Sequence, residues 1–199
     1  MSSKQEFSPK AFIFSSVSIS VFCLLIILFM IYKGLFPIER FLSFSSPNHL
    51  LFVTFIGTLC AVLYGILAAK FTPISHVDET NQTYQSYPLV TIIGFTFFGA
   101  MFEELLLRGV IQNIAVFFLE KEWLAIIIST FIFTLFHPQY FSKPMMVVNV
   151  IIMGIIFGCI YAITQNLLVP FMTHFLVNLT TTILFKYNII TLKSSKSMV

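Results

Sequence analysis

Apolar residues run nearly unbroken through six stretches of this chain, at about 11–32, 50–69, 88–118, 123–137, 145–164 and 167–186. A hydrocarbon layer about 30 Å thick is crossed by roughly 20 helical residues, so each stretch predicts a spanning helix. Together they predict an all-α fold, a polytopic transmembrane bundle. The third stretch is too long for one simple span, and the fourth is short unless it tilts or lies partly inside the bundle. Polar interruptions fall around Lys33–His49, with Pro37 and Pro47, and around Lys70–Tyr87, rich in Ser, Thr, Asn and Gln; tight turns serve elsewhere. They leave room for one membrane domain: N-terminal helices and linkers over 1–87, a core over 88–187 and a cytoplasmic tail over 188–199. The first stretch is too long for the apolar part of a signal peptide and lacks an A-x-A-like site after it, which predicts an uncleaved anchor helix.

Composition agrees with lipid as the solvent. Hydrophobic residues make up 58% of the 199 positions and charged residues only 10%, where a soluble domain carries about 25% charged. The net charge of +3 is small and dispersed, which argues against nucleic acid as a partner. Cys23, Cys60 and Cys159 are far apart in apolar segments, expected to be buried structural thiols and not a disulfide framework or metal motif. With the N-terminus inside, the inner side collects Lys4, Lys10, Lys70, Lys143, Lys186, Lys193 and Lys196 against Lys33, Arg40 and Lys121 outside. This predicts a cell-membrane protein with both termini cytoplasmic. Trp123, Tyr32, Tyr87 and Tyr140 lie near span ends as interfacial anchors, and Gly154 with Gly158 forms a G-x-x-x-G for close helix packing.

Against this background "MFEELLLRGV" at 101–110 is an anomaly. Each charge at the centre of a lone spanning helix costs about 2.5–3.5 kcal/mol on insertion scales, so Glu103, Glu104 and Arg108 need compensation. Glu104 and Arg108 are spaced i,i+4 and share a face, whereas Glu103 points about 100° away. The spacing predicts a structural ion pair and one uncommitted carboxylate. Two other polar sites interrupt apolar segments: "FTLFH", ending at His137, and "HFLVN", from His174 to Asn178. His49 and His76 fall in loops. Pro138 is expected to end the fourth helix near His137, and Pro170 to open or kink the sixth. Irregular backbone at membrane depth is tolerated only where protein or a water-filled cavity surrounds it.

A carboxylate, two imidazoles and an amide suit hydrolysis: the glutamate takes a proton from water, one His positions that water, and the remaining His and Asn donate to an oxyanion. Glu plus two His is equally a zinc set with an open water position. The only aspartate is Asp78, in a linker, which leaves no aspartyl dyad and no Ser-His-Asp triad; H-E-x-x-H and G-x-S-x-G are also missing. The same groups could also serve a metal or proton relay in a transporter, but no internal repeat or acidic ring supports one. One tension remains. Glu103 and His137 lie about 14–16 residues from the outer ends of their helices and His174 only about seven, a mismatch of roughly 10 Å. The sixth helix must therefore start earlier or deeper than drawn, or tilt.

"EELLLRGVIQ" from Glu103, "FTLFH" from Phe133 and "HFLVN" from His174 resemble the E-E-x-x-x-R, F-x-x-x-H and H-x-x-x-N motifs of the CAAX prenyl protease and bacteriocin-processing family, also called CPBP or Abi intramembrane proteases. Their order agrees, as does "GIIFGCIYAITQNLLVP" before the last motif; the resemblance covers about residues 88–182. It implies a membrane peptidase with its site inside the bilayer. Members trim prenylated CAAX proteins, or process or confer immunity to secreted peptides such as bacteriocins and pheromones. By motif match Glu103 would activate water, His137 would assist, His174 and Asn178 would form the oxyanion site, and Glu104 and Arg108 would support them. The expected partners are a peptide or membrane-protein substrate and the lipid bilayer. No cofactor is expected; the alternative is zinc on Glu103, His137 and His174. The functional alternative is a non-catalytic bacteriocin-immunity or scaffold protein of the same fold.

Overall fold

The computed structural model describes residues 8–73 and 86–190. Among them six helices run in order: α1 Pro9–Tyr32, α2 Pro47–Phe71, α3 Leu89–Leu119, α4 Glu122–Leu135, α5 Pro144–Thr164 and α6 Leu168–Lys186. Five are long and apolar enough to cross a membrane, α4 being the exception at 14 residues. At 1.5 Å per residue α4 reaches about 21 Å, well short of a hydrocarbon layer of about 30 Å. It stops at Leu135, two residues before His137, and a 3₁₀ turn at Pro138–Tyr140 carries the chain to α5. Prolines open α1, α2 and α5, where the missing N–H costs nothing. Pro170 lies in the first turn of α6 and so opens that helix instead of kinking it.

The long third stretch is one element with a change of register. It is α-helical over Leu89–Glu104, π-helical over Leu105–Gln112 and α-helical again over Asn113–Leu119. The charged cluster thus straddles an α-to-π junction, and π segments concentrate at functional sites. Around α3 pack α1, α4 and α6, while α2 lies against α5 and α6. The N-terminal helices are therefore walls of the same bundle.

The depth mismatch at His174 is resolved by burial of the α5–α6 turn. Asn166 and Leu167 are buried, covered by the α1–α2 loop: Ser43 N donates to Gln165 O (2.9 Å), Leu167 N to Phe41 O (2.8 Å) and Asn166 Nδ2 to Ser43 O (2.7 Å). The sixth helix begins where it was drawn, but deeper in the bundle. Two expectations need correction. Only Cys23 is buried; Cys60 is exposed and Cys159 half-buried, since the outward faces of these helices are meant for lipid. His49 lies in the first turn of α2 and not in a loop. The linker residues 74–85, with His76 and Asp78, and the tail from 191, lie outside the described residues.

Candidate active site

The anomalous charges gather in the bundle interior. Arg108 is wholly buried and Glu104 is 1% exposed. Arg108 Nη1 donates to Glu104 Oε1 at 3.0 Å, and Nη2 to Gly154 O on α5 at 2.8 Å. The guanidinium lies between the Phe133 and Phe157 rings, 5.6 and 5.7 Å from their centroids. A planar cation with forked donors suits such a slot, where a point charge would not. The carbonyl of Gly154 can be reached because α5 approaches closely at its two glycines. A Cβ on Gly154 would sit 2.9 Å from Thr130 Cγ2, and one on Gly158 3.0 Å from Ile126 Cγ2. Gly158 O accepts from Gln112 Nε2 in turn (3.2 Å), so the G-x-x-x-G also supplies acceptors to the π segment.

His174 joins both glutamates. Its Nδ1 is 2.8 Å from Glu104 Oε1 and its Nε2 3.7 Å from Glu103 Oε2. A carboxylate already paired with Arg108 can only accept, so a proton belongs on Nδ1, and Nε2 faces Glu103. Stacking on Phe157, with centroids 4.5 Å apart, fixes the ring plane. Glu103 makes no bond to Arg108; its side chain is 20% exposed, against 1% for Glu104. His137, at the end of α4, donates Nδ1–H to Phe133 O (2.8 Å), stacks on Tyr140 and meets Phe133 edge-on. Its Nε2 is thereby left to accept a proton.

Glu103, His137, His174 and Asn178 line one cavity of about 760 Å³, together with Phe95, Phe133 and Phe157. Four side chains from α3, α6 and the end of α4 thus meet at one mostly apolar space. Zinc would need Glu103, His137 and His174 to converge on one ion. Among the described residues no three His, Cys, Asp or Glu groups are so arranged.

Several contributors are not visible in sequence. Phe157 and Tyr161 hide in an apolar run. Arg40, counted above as a loop charge, bonds Asn113 Oδ1 at 2.8 Å and pairs with Glu122, while Tyr161 Oη donates to Arg40 O at 2.9 Å. These partners stand 73 to 121 positions apart in the chain, beyond any helical spacing that could have signalled them.

A bundle of apolar helices enclosing a glutamate, two histidines and an asparagine defines a multi-pass membrane protein with a polar centre. Residues 85–180 match the family described as Type II CAAX prenyl endopeptidase Rce1-like. Over that region, just under half of its length, the chain is similar to this family of CAAX-type proteases. It is also 31% identical over 120 residues to the uncharacterized protein YpbD of Bacillus subtilis (strain 168); the match spans 59% of this chain and 59% of that protein. No solved structure matches the chain.

Proposed function

We propose that this protein is an intramembrane endopeptidase that hydrolyses a peptide bond near a membrane or terminal segment of its substrate, a peptide precursor or lipidated protein. The observation that carries the reading is Glu103: the one carboxylate of the cluster not committed to Arg108, facing the cavity with His174 Nε2 at 3.7 Å. Glu103 takes a proton from water as the oxygen adds to the scissile carbonyl carbon. His137 assists by accepting from the same water through Nε2. The oxyanion receives hydrogen bonds from Asn178 Nδ2 and from His174 Nε2. With Nδ1–H held by Glu104, donation from Nε2 needs a His174 ring that carries both protons. Glu103 then passes its proton to the amide nitrogen, the C–N bond breaks, and a carboxylic acid and an amine leave, the acid giving its remaining proton to the amine in water. Water activation falls to the carboxylate itself, with no metal in the step.

The test is Glu103→Gln, which keeps shape and removes the base. Purified parent and variant in nanodiscs are compared by mass spectrometry on a prenylated CAAX peptide and on secreted-peptide precursors. Loss of a general base costs about 100-fold or more, and the variant is expected to fall by at least that. A folded variant that cleaves at the parental rate would overturn the reading. Protection of cells by Glu103→Gln as full as by the parent, with no cleavage by either, would point to the non-catalytic scaffold instead.

A further inference from the structure

Three successive carbonyls of the π segment accept from side chains that no catalytic assignment uses. Ser129 Oγ on α4 donates to Leu107 O at 3.2 Å. Asn113 Nδ2 donates to Arg108 O at 2.9 Å and Gly109 O at 3.0 Å, and also to Tyr161 Oη at 2.8 Å. Asn113 and Ser129 are both wholly buried. A π segment inside an α-helix inserts an extra residue, and where the register returns to i+4 backbone carbonyls fall short of N–H partners. At membrane depth each such group costs several kcal/mol unless another donor satisfies it. Asn113 stands at that return point, as the first residue after the segment.

The consequence for the site is angular. One residue is about 100° of helix rotation, so without the insertion the Glu103 and Glu104 end would turn by that amount relative to the end fixed by Gln112 and Asn113. Glu104 would leave His174, and Glu103 would leave the cavity. Asn113 is itself held: its Oδ1 accepts from Arg40 Nε (2.8 Å), and Arg40 pairs with Glu122 at the start of α4. We propose that Asn113 and Ser129 are positioning residues for the Glu103 centre, holding the π register that aims both glutamates. The proposal rests on the peptidase reading for its consequence in activity, but not for its consequence in structure.

The experiment uses the full chain in nanodiscs with ¹⁵N-labelled histidine. Nδ1–H of His174, donated to Glu104, gives a hydrogen-bonded imidazole resonance that is identified by its loss in His174→Gln. Asn113→Asp keeps the acceptor for Arg40 but sets an acceptor-only carboxylate against two carbonyls. It is expected to shift or abolish that resonance while the protein stays helical and monodisperse, and to lower cleavage of any probe peptide the parent cuts by tenfold or more. A displacement of about 1 Å at a catalytic group can cost on the order of 100-fold. Ser129→Ala should act in the same direction more weakly, and Ser129→Thr, which keeps the hydroxyl, should restore the parental spectrum. Where Asn113→Asp does not fold, the Ser129 pair decides. An unchanged His174 resonance in folded Asn113→Asp or Ser129→Ala overturns the proposal. A shifted resonance in a protein that cuts no probe leaves the positioning role standing and overturns the peptidase reading alone.

Discussion

Arg108 is the most constrained side chain of the site, because it serves an ion pair, a carbonyl and two aromatic faces at once. Removing one partner of a buried pair leaves the other charge without compensation, a loss of about 3–5 kcal/mol. Arg108→Met is therefore expected to destabilise the protein by that amount, measured as a lower thermal midpoint in detergent. Arg108→Lys should recover only part of it, since an ammonium has no fork to reach Glu104 and Gly154 together. Combining Arg108→Met with Glu104→Gln removes both charges and leaves an amide oxygen for His174 Nδ1, so the double variant should be more stable than Arg108→Met alone. A double variant less stable than the single would show that the pair is not the main interaction. At this scale the sequence is most legible where solvent makes a residue expensive: Glu103, Glu104, Arg108, His137, His174 and Asn178 stand out as polar groups in hydrocarbon. Phe157, which stacks on His174 and covers Arg108, carries no such mark because every apolar residue is at home in this chain.

The elements follow from lipid as solvent: helices must satisfy their own backbone over roughly 20 residues, which is why apolar run lengths place six helices to within a few residues. Two features break that rule and could not be read. The π segment has no periodic signature, since Leu105, Leu106 and Leu107 are apolar in any register; only the side-chain donors to its carbonyls reveal what keeps it. The depth of α6 is set by the loop that covers the α5–α6 turn and not by any residue of α6. The α4–α5 contact was foreshadowed by Gly154 and Gly158, and it yields a graded prediction. Gly154→Ala drives a methyl to 2.9 Å from Thr130 Cγ2 and 3.2 Å from Phe133 Cδ1, both on α4. Overpacking of this kind costs about 1–3 kcal/mol, and moving α5 away would also lengthen the Arg108 bond to the carbonyl at 154. Gly65→Ala on α2 meets only Thr181 Cγ2 at 3.5 Å, ordinary contact, and should change stability by less than about 0.5 kcal/mol, leaving the thermal midpoint near that of the parent. Equal midpoints for the two variants would mean that the α4–α5 approach is not tight.

Across the whole molecule the connections sort to two ends, and this bears on topology. The α1–α2 loop touches the α5–α6 turn through Phe41 and Ser43, the start of α4 through Arg40 and Glu122, and the end of α3 through Phe36 and Phe117, 6.1 Å apart. The last residue of α6, Lys186, reaches instead to Tyr87 O just before α3, at 2.9 Å. Six helices therefore alternate in direction, with residues 136–143 carrying the chain from the end of short α4 to the start of α5. The first and last helices begin and finish at the same end. Sequence could supply the parity only by counting spans, with α4 in doubt for its length; the contacts between distant loops remove that doubt. Which end faces the cytoplasm rests on charge: Lys10, Lys70, Lys143 and Lys186 belong to one end, Lys33, Arg40 and Lys121 to the other. Arg40 is moreover spent on Glu122 and Asn113, which leaves Lys33 and Lys121 opposite Lys10, Lys70, Lys143 and Lys186. Alkaline phosphatase, which folds only outside the cytoplasm, is therefore expected to be inactive when fused after Lys186 and active when fused after Leu42 or Glu120; green fluorescent protein should give the reverse. Activity after Lys186 would place that end outside and invert the topology. Equal activity after Glu120 and after Lys143 would mean that the chain between them does not cross, and with it would fall the placement of His137 beside Glu103 at membrane depth.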